Sequence, residues 1–159
     1  MASVLQINSS KGGIPKLPVD RAQVRLLGIE GDAVRNLKYH GGPLQALLLI
    51  MQESLDEMKA LGFPVYAGAL GENLTTLGLD RHDLRLGSRY RVGEVILELT
   101  KVRVPCSTLN PYGVGIQKAI YDARVKAGDF SSPRWGLSGF YASVKREGLI
   151  LPGDSIEPL

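Results

Sequence analysis

The sequence predicts a mainly β fold that closes, or nearly closes, into a barrel, and three observations carry that expectation. Nineteen Gly and nine Pro are spread at short intervals, the punctuation of short strands joined by turns. Seven short apolar or alternating segments lie between them. Helical patterning is confined to two stretches, too few for parallel βαβ units, and closure would remove exposed strand edges.

The strands are expected at "SVLQINSS", "AQVRLLG", "QALLLIM", "GENLTT", "SRYRV", "VILELTKVRV" and "GFYASVKR". In the sixth, strict alternation puts Val95, Leu97, Leu99, Lys101 and Arg103 on one face and Ile96, Glu98, Thr100 and Val102 on the other. Gly93-Glu94 joins the fifth and sixth as a tight type II′ turn, Gly supplying the positive φ at its first central position. In "QESLDEMKALGF", Ser54 and Glu57 form a capping box, Leu55, Met58 and Leu61 an apolar stripe, and Gly62 a stop, which predicts a helix of about two turns. "IQKAIYDARVKAG" predicts a second helix with Ile116 and Ile120 on one side, ending at Gly128.

With 159 residues, 44% hydrophobic and 22% charged, the chain has the size and balance of one globular domain over residues 1–159. A formal charge of +3, with basic and acidic residues interspersed, argues against nucleic acid and for at most a local anion site. The N-terminus lacks the pattern of a signal peptide and the longest apolar run, "ALLLIM", is too short to span a bilayer. One Cys makes no internal disulfide. A cytoplasmic protein without a membrane partner is expected.

That cysteine, Cys106, follows Pro105 at the end of a strand carrying Lys101 and Arg103. A free Cys is commonly a small buried hydrophobe. Pro105, however, ends ladder pairing and leaves Cys106 where a side chain can face a cleft. Strict alternation separates Arg103 from Cys106, and a bend at Pro105 is needed to bring them together. If they meet, the guanidinium favours an anionic sulfur, and Cys106 becomes a nucleophile, a persulfide carrier or a soft metal ligand.

Two further stretches hold candidate site residues. "GDAVRNLKYHGGP" contains Asp32, Lys38, His40 and Gly41; the glycines suit chain reversal, and His40 beside them can approach a ligand with Asp32 orienting its ring, or can be structural. "GALGENLTT" contains Gly71, Glu72 and Asn73; it can be a bulge with a surface Glu72, while the Asn73 amide suits a heterocycle or phosphate.

The series GD, HGG, GENL and Arg103-Val104-Pro105-Cys106, followed by "GLSGFYASVKREGLILPGDSIE", resembles the MOSC domain family, related to the C-terminal region of molybdenum cofactor sulfurases, and most of all its bacterial stand-alone branch. The likeness runs from about Ile14 to the end of the chain. It implies a closed β-barrel like the barrel domain of pyruvate kinase, with two short helices, and a molybdenum-pterin cofactor in a basic cleft. By the same likeness Cys106 is the molybdenum ligand or a persulfide carrier. Asn73, Arg103, Gly71, Glu72, Gly41 and Lys38 line the cofactor, and His40 and Asp32 complete the catalytic set.

The implied activity is reduction of N-hydroxylated bases or related N-oxygenated small molecules. The alternative is a sulfur carrier or cofactor-delivery module. Stand-alone relatives often carry a C-terminal helical segment beyond the point where this sequence ends. No four-cysteine cluster is present for an Fe–S centre, so a separate electron-donor protein, or a sulfur donor, is the expected partner. The stretch "NPYGVGIQKAIYDARVKAGDFSSPRWG" is expected to form a surface lid, with Trp135 in the core or over the cleft.

Overall fold

A tight reversal at Gly93-Glu94 shows how local chemistry sets the sheet. Val92 pairs with Val95 across it, Gly93 has φ 56°, and among the described residues no non-glycine residue has positive φ, as the expected type II′ turn requires. The computed structural model describes residues 1–33 and 41–159. Its strands are β1 (Ser3–Ser9), β2 (Leu17–Val19), β3 (Ala22–Arg25), β4 (Gly28–Ile29), β5 (Leu47–Met51), β6 (Leu74–Leu77), β7 (Arg89–Val92), β8 (Val95–Val102), β9 (Phe140–Arg146), β10 (Gly148–Ile150) and β11 (Ile156–Pro158). The helices are α1 (Gln52–Ala60), α2 (Ile116–Ile120) and α3 (Ala123–Lys126).

The mainly β character holds, but the expected closed barrel does not form. An eight-stranded mixed sheet runs in the order β11-β7-β8-β9-β5-β6-β1-β2, and β10-β3-β4 make a separate three-stranded sheet. Both are open. The edge strands β2 and β11 have three residues each and contain Pro18 and Pro158, which lack the N–H that a further ladder would need. Between β1 and the stretch before β11, Ser3 and Ser155 make an isolated bridge and not a ladder.

One parallel crossover is present, against expectation. β5 leads through α1 to β6, which pairs parallel to β5 with Leu49 opposite Leu74. β5 is also buried on both faces. Leu47, Leu49 and Met51 enter one apolar cluster with Leu97, Leu99, Trp135 and Phe140. Leu48 and Ile50 enter a second with Leu55, Met58, Leu70 and Tyr141. A strand covered on both sides reads as a continuous apolar run, which is why "LLLIM" shows no alternation.

The helices depart from their predicted ends. β5 runs directly into α1, whose N-cap is Met51 without a side-chain cap, and the Ser54 hydroxyl is buried inside the helix without a partner. Leu55 and Met58 face the core, whereas Leu61 lies beyond the helix and is exposed. The second predicted helix is broken into α2 and α3. Tyr121 and Asp122 are extended, and the Asp122 carboxylate restarts the helix by accepting the Val125 N–H at 2.8 Å.

Among the described residues no helix is long and apolar enough to cross a membrane. Leu47 is fully buried in the larger cluster at the centre of the sheet. Leu47→Ala is expected to cost about 2–5 kcal/mol, read as a lower urea midpoint at unchanged m-value.

Candidate functional site

The strict alternation expected along β8 fails at one residue. Leu99 pairs with Ala142 and Lys101 with the adjacent Tyr141, so Thr100 is an inserted residue, a β-bulge. Val95, Leu97, Leu99 and then Val102 face the larger core cluster. Lys101 and Arg103, which strict alternation would place beside those leucines, instead turn to the opposite side and line a cavity of about 1000 Å³.

Past Val102 the chain leaves the ladder, so residues 103–106 are freed from a strand's two-face rule. Arg103 is anchored by its backbone: its N–H donates to Gly139 O at 2.9 Å and its carbonyl accepts the Ser138 hydroxyl at 2.6 Å. Cys106 then opens a 3-10 turn over Ser107–Tyr112. Arg103 and Cys106 thus line the same cavity, and the irregular Val104-Pro105 link supplies the bend that sequence alternation lacked. The Cys106 thiol is partly exposed, with Sγ 2.8 Å from Thr108 Oγ1.

Arg103 is 3% exposed, and its Nε and Nη1 have no hydrogen-bond partner. Burial pushes its pKa down, opposed by the nearby Tyr141, Cys106 and Glu72. An arginine nevertheless stays charged in a protein. A buried, cavity-facing guanidinium with unmatched donors is costly to maintain without an anionic counterpart.

Glu72 is fully buried and lies outside the cavity wall, so it is not a surface charge. One carboxylate oxygen accepts the Thr75 hydroxyl at 3.0 Å and the other has no partner. Burial, the largest influence, raises its pKa. Gly71 and Gly41 are on the wall. Lys38 and His40 lie outside the described residues.

Asn73 also lines the cavity, yet its amide is committed to protein. Oδ1 accepts the Leu48 N–H at 3.0 Å, and Nδ2 donates to Asp32 Oδ2 at 2.9 Å. Its backbone N–H donates to Leu48 O, and its carbonyl accepts the Asn8 N–H. Asn73 therefore joins β1, β5 and the Asp32 loop, and acts on the cavity by shaping it.

Asp32 accepts further from the Ser10 N–H at 2.9 Å and from Lys16 Nζ at 2.6 Å. Lys16, buried on the cavity wall, was not apparent in the sequence, because "GGIPKLPV" gives a lysine no periodic context. Tyr141 was missed as well, although alternation in "GFYASVKR" combined with the β8–β9 register would have faced it toward Lys101. From the expected lid stretch, Pro111 reaches the wall. Trp135 does not. It is buried in the larger cluster and donates its indole N–H to Leu84 O at 2.8 Å.

This polar floor beneath a bulged strand end occurs within a sequence whose residues 36–157 match the family model of the MOSC domain. The chain belongs to the MOSC domain family. It is 30% identical over 149 residues to the uncharacterized protein YflK of Bacillus subtilis (strain 168), covering 92% of this chain and 63% of that protein. Protein YiiM of Escherichia coli (strain K12) is 37% identical over 103 residues, covering 61% of this chain and 46% of that protein. The chain thus matches less than two thirds of the length of either relative. Its fold resembles the crystal structure of YiiM from Geobacillus stearothermophilus with a TM-score of 0.74 at 28% identity, covering 100% of this chain and 75% of that one.

Two outcomes follow from this MOSC site. The raised pKa of Glu72 means that the folded state holds the proton more tightly than the unfolded chain. Stability associated with Glu72 is complete below the ordinary carboxylate range and declines as pH rises through the folded value. Glu72→Gln should therefore match the wild type near pH 4 and gain on it steadily toward neutrality in urea titrations. Asn73→Ala strands the buried Leu48 N–H and one Asp32 oxygen, and should lower stability by about 1–3 kcal/mol, measured by the same method.

Proposed function

We propose that this MOSC-domain protein binds a molybdenum-pterin cofactor in the cavity bounded by Arg103 and Cys106 and reduces N-hydroxylated bases or related N-oxygenated small molecules. The observation that carries the reading is the buried Arg103 guanidinium, with Nε and Nη1 unmatched, on the same wall as an accessible cysteine sulfur. Those donors fit an anionic cofactor group, and a soft thiolate fits molybdenum. A cavity of about 1000 Å³ is at the upper end of small-molecule sites, adequate for cofactor and substrate together.

In this reading Cys106 holds the metal, Arg103 balances anionic charge beside it, and Gly71 and Gly41 let backbone approach the ligand. When bound, the cofactor would supply two-electron chemistry for reductive cleavage of the substrate's N–O bond, with two electrons and two protons consumed and the oxygen released as water. In this reading Cys106 would be the protein's ligand and the cofactor would bring the others. The Lys16–Asp32–Asn73 network holds the floor, and Leu48, Leu70 and Tyr141 exclude water from its inner side. Electrons come from a separate protein.

The chain produced in a host that makes the cofactor should contain stoichiometric molybdenum and release a fluorescent pterin on denaturation. It should reduce an N-hydroxylated purine when given an electron donor. Cys106→Ser should lose metal and turnover together. Retention of both in that variant refutes the ligand role, and a persulfide on Cys106 of a metal-free wild type assigns the protein to sulfur carriage instead.

A further inference from the structure

The charges on the cavity wall do not all cancel one another. Among the described residues the charged groups there are Lys16, Asp32, Lys101 and Arg103. Lys16 and Asp32 cancel as a close, largely buried pair at 2.6 Å. Arg103 is the deep cation beside Cys106. Lys101 remains: it is exposed and makes no ion pair with a described carboxylate, unlike Lys145 and Arg89 on the neighbouring strands.

Lys101 and Arg103 stand two residues apart on the side to which the Thr100 bulge turns them. Lys101 is exposed and Arg103 buried, so one cation stands toward solvent and one at depth. An aromatic ring adjoins Lys101. Tyr141 is the register partner of Lys101, lines the cavity, and holds its ring centroid 5.8 Å from Lys101 Nζ. The cavity is also lined by the apolar Leu27, Ile29 and Leu70. An apolar slot with an aromatic side suits a flat heterocycle. A solvent-facing ammonium at its rim suits an anionic group attached to that heterocycle and left partly in water.

We propose that the base enters this cavity in phosphorylated form, as a nucleoside 5′-monophosphate or an equivalent, with Lys101 holding the phosphate at the mouth. This substrate class rests on the reading of the cavity as a base-reducing site. The same phosphate chemistry could also come from the cofactor itself, and the two sources separate experimentally.

Adenosine 5′-monophosphate and adenosine serve as unreactive probes in isothermal titration of the purified full chain, alongside pterin content. The wild type should bind the monophosphate about tenfold more tightly than the nucleoside, with the gap closing at high salt. Lys101→Ala should bring the two affinities together, Lys101→Arg should restore the gap, and pterin content should be the same in all three proteins. Equal affinities in the wild type, or a gap that survives in Lys101→Ala, overturn the proposal. Loss of pterin from Lys101→Ala also overturns it, because the lysine would then serve the cofactor. A wild type that prefers the monophosphate but never reduces an N-hydroxylated purine leaves anion recognition standing and refutes the reductase reading alone.

Discussion

One inserted residue, Thr100, decides what faces the cavity. Without the bulge, the period of β8 would carry Lys101 and Arg103 onto the face where Leu97 and Leu99 meet Phe140 and Trp135, and two cations would be driven into the main core. With it, Val102 takes the core position and the cations turn to the other side. The cost of burying an unpaired charge is several kcal/mol, far more than the loss of one ladder step. The bulge is therefore the arrangement in which this strand can be both a core strand and the edge of a site.

A second constraint sits across the cavity. β5 and β6 begin their parallel ladder at Leu49 and Leu74, and just before it Asn73 uses both its backbone and its side chain to hold Leu48. The rest of its amide reaches Asp32, which in turn gathers Lys16 and the Ser10 N–H. Among the described residues, the floor's Lys16 and Asp32 are matched to each other. Arg103 on the same cavity wall differs, with its Nε and Nη1 unmatched. That asymmetry, a satisfied floor under an unsatisfied cation, is what distinguishes a ligand-facing charge from a structural one.

Much of the strand framework was legible in the sequence because it is local. β1, β5, β7, β8 and β9 fall close to the segments expected from apolar patterning, and Gly93 marks its turn. The three-residue strands β2, β10 and β11 were not legible: β2 and β11 contain proline, and β10 and β11 exist through partners distant in sequence. The capping box expected at Ser54 does not form, since β5 continues into α1 without a loop and leaves Ser54 inside the helix. The cavity residues Asp32, Gly41, Gly71, Asn73, Arg103 and Cys106 were visible as motif members, but the different jobs of Asn73, whose amide is spent on protein, and Arg103, whose guanidinium is not, were invisible.

From the sequence alone followed a mainly β chain, most of its longer strands, its family likeness and the short stretches from which a site could be assembled. Those depend on side-chain period, turn chemistry and motif order, all of which are written along the chain. Whether the sheet closes, which side of β8 its cations occupy, and that Lys16 and Tyr141 belong to the same cavity as Cys106 were decided by tertiary structure. Register, bulges and edge pairing are agreements between segments far apart, and no single segment carries the information for them.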